Sequence, residues 1–249
     1  LNDIWDGETY DANYDYAWSN PGYDETEWET PAISTDFKGT VSAHVGPTIQ
    51  VRDELNRTPE TVTVYQGSTE TDTTYGEINV VSTPEPGETF TLKAGQTVVF
   101  DLGQNMVGWP NITVKGAQNT EVTMRFGEML NDTGASSRGN DGPAGSIYTA
   151  NYRSAKSTGT YVLKGDENGE SYRPTFSFYG FRYVEMTASA DIEISNFVAE
   201  VLGSVTTETG SIETSSADIN QLYSNILWGQ RGNYLSVPTD CPQRDERLG

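Results

Sequence analysis

The sequence predicts a mainly β chain: an antiparallel β-sandwich, preceded by the tail of another domain and followed by the first helix of a helical one. Three observations carry that reading. Between about Thr35 and Val205 the residues recur with strand period, in short runs that are β-branched or aromatic. Gly and Pro clusters separate those runs with no helical period between them, the arrangement of an antiparallel sandwich rather than a parallel α/β sheet. Only after Thr214 does the period become helical.

Taken in order, residues 1 to about 35, "LNDIWDGETYDANYDYAWSNPGYDETEWETPAIS", are acidic, turn-rich and full of Trp and Tyr. They have too few apolar runs for a core of their own, so they are expected to be the end of a domain whose body lies upstream. Strands are then expected at "TVTVY" (61 to 65), "TVVFD" (97 to 101), "ITV" (112 to 114), 121 to 126, "TYVL" (160 to 163), "FRYVEM" (181 to 186) and "FVAEV" (197 to 201). Turns are expected at "PEPG", "KAGQ", "KGAQN" and "KGDENGE".

Within this zone "FDLGQNMVGW", Phe100 to Trp109, ends one strand and turns into the next, Gly103 and Gly108 permitting positive φ and Gln104 and Asn105 satisfying turn backbone. "FYGFRYVEM" reads as a strand with a Gly bend, and its Arg182 as a partner in a ladder or interdomain ion pair. Asp132 to Ser146 is a polar loop expected to be mobile. After Thr214, Ser215 or Ser216 can cap a helix in which Ile219, Leu222, Tyr223, Ile226 and Leu227 fall on one side. That stripe needs an apolar partner. Few residues follow it, so the partner is expected beyond Gly249, and the chain reads as cut at its end and, beginning on Leu1, at its start.

A length of 249 residues suffices for a substantial core, and aromatics at 11 %, with 14 Tyr and 5 Trp, exclude a disordered acidic chain. A formal net charge of −21, with no Lys/Arg run, argues against nucleic acid and anionic membrane as partners. A neutral substrate fits better. Sugar rings pack on aromatic faces and their hydroxyls bond to carboxylates, amides and Arg, although most of these aromatics are expected to be strand core. One cysteine, Cys241, precludes an intrachain disulfide and a thiolate zinc site. No apolar run reaches the length of a membrane span, and the compartment stays open.

Several candidate sites have bland explanations. "DANYD" at Asp11 to Asp15 starts like a calcium loop, but Tyr16 stands where the sharp turn needs Gly and Gly22 where the bidentate Glu belongs. Calcium is thus a weak expectation, and no other cofactor is expected. His44, the sole histidine, reads as a strand residue rather than a base. The sequons at Asn56, Asn111 and Asn131 are expected by chance in so Thr- and Asn-rich a chain.

The terminal cluster stands apart. Asp240, Arg244, Asp245, Glu246 and Arg247 crowd together after the extended approach "SVPT". Asp240 with Gln243 three residues on, and Pro242 between, also suits an ordinary charged helix start. Against that, glycoside hydrolysis needs a carboxylic acid protonated at working pH, a second carboxylate nearby raises its pKa, and Arg can hold sugar hydroxyls.

The string "VPTDCPQRDERLG" resembles the bacterial α-L-rhamnosidases, inverting glycoside hydrolases with an (α/α)6 catalytic barrel. "DGETYDA", "NPGYDETEW", "FDLGQNMVGW", "MRFGEMLND", "GSIYTANYR", "YRPTFSFYGFRYVEM" and "LYSNILWGQRGN" extend the resemblance in family order over nearly the whole chain. It implies that residues 1–35 end a jelly-roll, carbohydrate-binding-like domain, that 36–205 form a β-sandwich, and that 206–249 are a linker and the start of the barrel. Glu246 then resembles the general acid, Asp240 and Arg244 contacts to rhamnose hydroxyls, and Asp245 and Arg247 residues that shape their field. The general base, a downstream Glu in such enzymes, is absent. The partners implied are L-rhamnose-containing glycosides and the missing barrel, and this chain alone is expected to be inactive. The alternative is a non-catalytic carbohydrate-binding or scaffold sandwich.

Overall fold

The computed structural model describes residues 2–14, 17–72, 75–133, 139–204 and 207–244. Its elements, in order, are β1 (Asn2–Asp3), β2 (Gly7–Asp11), β3 (Ile49–Val51), β4 (Thr61–Thr69), β5 (Glu77–Ser82), β6 (Phe90–Leu92), β7 (Thr97–Gly116), β8 (Glu121–Gly127), β9 (Met129–Leu130) and β10 (Ile147–Tyr148). There follow β11 (Thr158–Val162), β12 (Glu170–Tyr172), β13 (Tyr179–Ala188), β14 (Ile192–Ser204), α1 (Ala217–Asn233), β15 (Tyr234–Leu235) and β16 (Val237–Pro238).

One curled sheet runs in the order β1-β2-β11-β8-β13-β7-β14-β3, with β4, β5, β6 and β12 joining beside it. Strand β7 makes the curl. Its first residues, Thr97 to Asp101, lie between β4 and β13, whereas Ile112 to Val114 lie between β12 and β14. A strand that changes neighbours along its length carries the sheet around onto itself and closes the core. Facing side chains then meet: Phe100 of β7 stacks on Phe197 of β14 at 4.1 Å, and Phe126 of β8 on Tyr179 of β13 at 3.8 Å.

Four acids are buried among these strands, and each is bonded to a neighbouring Tyr or Trp. Glu8 accepts from Tyr172 (2.7 Å), Glu170 from Tyr161 (2.8 Å), Glu185 from Tyr65 (3.0 Å) and Glu200 from the Trp109 indole (2.7 Å). A buried carboxylate without donors would cost several kcal/mol, on the order of the desolvation penalty per ion, so part of the aromatic richness is explained by donors as well as by packing. Burial pushes the pKa of Glu170 up, but the backbone N–H groups of Lys164, Asp166 and Gly165 and the Tyr161 hydroxyl outweigh it and leave it lowered.

The structure departs from the sequence reading in particular places. Phe100 to Trp109 is no turn between strands but part of the continuous β7. Between Met106 and Asp101, which pair with Phe181 and Tyr183, β7 bulges outward. Gly103 sits in this bulge at φ +68°, and the Asp101 carboxylate holds it by accepting from Gly103 N (2.8 Å) and from Arg182 through two bonds (2.7 and 2.9 Å). Arg182 is therefore a ladder ion pair inside the sandwich.

Residues expected to belong wholly to an upstream domain contribute β2, which pairs in parallel with β11, so the sandwich is not purely antiparallel. The hydrogen bonds of Ser157 and Thr158 to the carbonyls of Trp5 and Asp6 add to the attachment. His44 lies in exposed irregular chain, not in a strand, because residues 18–48 find no sheet partner. The polar loop after Asn131 is tied down where it is described: the buried Asn131 side chain bonds Ser146, Ile147 and Asp141, and Asp141 accepts from Thr149 twice. The sequon asparagines all have structural partners, Asn111 donating to Glu200 and Asn56 accepting from Val201 N.

Candidate functional site at the sandwich–helix junction

Helix α1 starts where the sequence places it. Ser216 is the N-cap, its hydroxyl accepting from Ile219 N at 3.5 Å, and Asn220 closes the approach by bonding Thr214 N and O. The helix rests on the sandwich through Trp228, over which Arg57 and Arg231 lie at 5.0 and 5.3 Å, and through Gly232, against Val107. Its stripe faces away: Ile219, Leu222 and Ile226 are 51 %, 58 % and 58 % exposed.

From the helix end the chain is pinned back to the sheet before it reaches the charged cluster. Leu235 is buried beside Val107 and Leu202, and Ser236 N donates to the Ser204 hydroxyl at 2.7 Å. Ser236, at φ +74°, makes the tight connection between β15 and β16. Thr239 N then bonds Asn233 O (2.8 Å), and Cys241, again at positive φ (+51°), throws the chain into a turn closed by Arg244 N on Cys241 O (3.1 Å). Non-glycine residues in this conformation are uncommon and concentrate where a chain is held for function.

This turn closes a cleft of about 440 Å³. One wall is α1, with Asn225, Trp228 and Asn233; the opposite wall is the sheet, with Gln104 and Asn105 from the β7 bulge, Glu128 and Gly180; the turn itself brings Asp240 to Gln243. Asp240 is exposed and accepts from the Cys241 thiol at 3.2 Å. Burial and then the Asp240 carboxylate raise the Cys241 pKa, and the Arg244 side chain, which also reaches this sulfur, opposes them. Asn105 is held toward the cleft by donating to Glu128 at 2.9 Å.

The structure thus brings Asp240 and Arg244 together on one turn, as a sequence neighbourhood alone would not guarantee. Asp245, Glu246 and Arg247 lie outside the described residues. Gln104, Asn105 and Gly180, read in the sequence as turn and bend residues, line the cleft, as does Glu128, which the sequence did not single out. The signal that could have found them is the Asp101 and Gly103 pairing of a bulge, which is visible only once Arg182 is known to lie opposite.

Among the described residues, no group of three or more His, Cys, Asp or Glu side chains is arranged to hold a metal ion. The calcium-like stretch is used otherwise: Asp11 accepts from the N and Nδ2 of Asn13, Asn13 bonds Asn119, and Asp15 lies outside the described residues.

Comparison with known proteins gives consistent findings. Residues 91–204 match the family model described as the bacterial alpha-L-rhamnosidase concanavalin-like domain, and residues 207–249 the bacterial alpha-L-rhamnosidase 6 hairpin glycosidase domain. An alpha-L-rhamnosidase of Streptomyces avermitilis is 38 % identical over 99 % of this chain and 20 % of its own length. One from Formosa agariphila is 34 % identical over 100 % of this chain and 23 % of its own.

The crystal structure of the Streptomyces avermitilis alpha-L-rhamnosidase complexed with L-rhamnose superimposes with a TM-score of 0.73, at 36 % identity, over 100 % of this chain and 20 % of that one. The structure of the alpha-L-rhamnosidase from Dictyoglumus thermophilum also gives 0.73, at 28 % identity, over 100 % of this chain and 24 % of that one. The chain therefore spans about a fifth of the length of the curated relatives it matches.

Proposed function

Because this chain belongs to the bacterial α-L-rhamnosidase family, we propose that the whole protein hydrolyses terminal α-L-rhamnosyl residues of glycosides or polysaccharides with inversion. This chain carries the acid side of the site and does not turn over alone. The observation that carries the reading is the turn from Asp240 to Arg244, bent at Cys241 by a positive φ, with Asp240 lining the cleft where the sandwich meets the first helix.

In this reading the Asp240 carboxylate accepts from rhamnose hydroxyls and the Arg244 guanidinium donates to them. Glu246 protonates the departing glycosidic oxygen, and Asp245 and Arg247 shape the field around it. A carboxylate from a part of the protein outside this chain activates water on the opposite face. Inversion needs the two carboxyl groups roughly 6.5–9.5 Å apart, room for that water, so one glutamate cannot fill both roles. Carboxylates and water suffice, and the chemistry calls for no cofactor. Domain junctions fall near residues 35 and 205, with β1 and β2 bridging onto the sandwich, and the exposed stripe of α1 packs on further barrel helices.

The test is rhamnose release from an aryl α-L-rhamnoside by the whole protein and by this chain. Release with inverted anomeric configuration by the whole protein alone is expected; turnover by the short chain would overturn the absence of its base.

One observation favours a second reading, a sugar-binding module. Trp18, Tyr23 and Trp28 form an exposed cluster, the ring centroids of Trp18 and Tyr23 lying 6.3 and 5.9 Å from that of Trp28. Titration of this chain with L-rhamnose separates the two: binding that disappears with Trp18→Ala or Trp28→Ala supports the module, and no binding supports the severed enzyme.

A further inference from the structure

Gly180 lies on β13 at the floor of the cleft, paired with Val107 of β7, and its φ is outside the left-handed region. Backbone freedom is therefore not why glycine stands here. What the position lacks is room: a Cβ on Gly180 would lie 3.0 Å from both the Cβ and the backbone N of Gln243 and 3.2 Å from its Cα. The charged turn sits directly on bare strand backbone.

Which side would yield to a side chain is decided by what holds each. Tyr179 is 2 % exposed and stacked on Phe126, Phe181 is fully buried, and Arg182 is locked by two bonds to Asp101. The strand cannot retreat without opening the core. The turn, by contrast, is half exposed, and its backbone is held by the bonds of Thr239 N to Asn233 O and Arg244 N to Cys241 O. We propose that Gly180 is a positioning residue for the sugar site: its missing side chain lets the sheet set the height of the Asp240–Arg244 turn, so the sandwich fixes where the sugar-binding groups stand. The proposal rests on the reading of that turn as the rhamnose-binding segment.

Gly180→Ala must move the turn by a few tenths of an ångström and Gly180→Val by more. Displacements of about 1 Å in positioned groups cost roughly 10²-fold, so kcat/KM of the whole protein on an aryl α-L-rhamnoside should fall about tenfold with Ala and further with Val. Melting temperature should stay close to that of the unaltered protein, and Gly180→Ala combined with Gln243→Gly, which removes one of the two opposing Cβ atoms, should recover part of the Gly180→Ala loss.

A second measurement needs no turnover. Cys241 lies in the same turn, and its alkylation by iodoacetamide, followed on the Cys241 peptide by mass spectrometry, should accelerate from Gly180 to Ala to Val. Unchanged kcat/KM with unchanged alkylation, or activity losses that merely track the folded fraction, would overturn the proposal. If the unaltered protein fails to cleave rhamnosides, the function falls, and the alkylation series alone decides the positioning.

Discussion

In the sandwich the large inward side chains face one another across closed layers: Phe100 on Phe197, Phe126 on Tyr179, Tyr161 on Tyr172 at 4.6 Å. Its buried acids have donors at 2.7–3.0 Å. In α1 the same kind of apolar patterning ends in water, with Leu222 and Ile226 each 58 % exposed and Gly232 the buried residue. An apolar stripe in a sequence announces which side will be covered, but it does not say by what. The sandwich meets its demand from within; the helix meets only half of its own, through Trp228, and leaves the other half open.

The largest effect that sharpens this contrast falls on the chemical side. With Glu246 as the proposed general acid, Glu246→Gln in the whole protein should lower kcat on a glycoside with a poor leaving group about 10²–10⁴-fold, the usual contribution of such a group, while Kd for L-rhamnose stays nearly unchanged. Normal turnover on such a substrate would remove Glu246 from the reaction.

Next is the closed core. Phe100→Ala removes a ring stacked at 4.1 Å and 1 % exposed, and should cost about 3–5 kcal/mol in denaturant unfolding. A loss under 1 kcal/mol would mean that the layers do not pack as described.

A smaller effect appears in acid. The Glu170 pKa is lowered in the folded state, so its contribution is present above the unfolded value of about 4.3 and fades as pH falls through the lower folded value. Glu170→Gln should therefore lose stability at neutral pH and flatten the decline below about pH 4. An unaltered acid limb would show that those backbone donors do not hold the carboxylate in solution. The smallest effect is on the open face: Leu222→Ser, which is 58 % exposed, should shift the stability of this chain by no more than about 0.5 kcal/mol. A large loss would show that the stripe is covered within the chain itself.

Much of this was legible in advance, for stated reasons. Strand period placed β4, β8, β13 and β14, and the Ser216 cap with its apolar spacing placed α1, because both signals are local. Glu77–Ser82 and Glu170–Tyr172 escaped notice, being short strands whose pairing is decided by distant partners. The β7 bulge was misread as a turn because Gly and Asn look alike in both settings; only Arg182, distant in sequence, decides between them. The parallel docking of β2 on β11 was invisible for the same reason. Asp240 and Arg244 stand out in the local string, whereas Glu128 and Gly180 reach the cleft through sheet geometry and no local pattern announces them.

The length of β7 has a consequence for how the chain is made. It ends at Gly116, yet two of its long neighbours begin only at Tyr179 and Ile192. During vectorial synthesis its backbone donors must wait, solvated or guarded, until almost the entire sandwich has left the ribosome. Consolidation is then late and abrupt, with few productive halfway stages, since non-local pairings repay their loop-closure cost only when the last partners arrive.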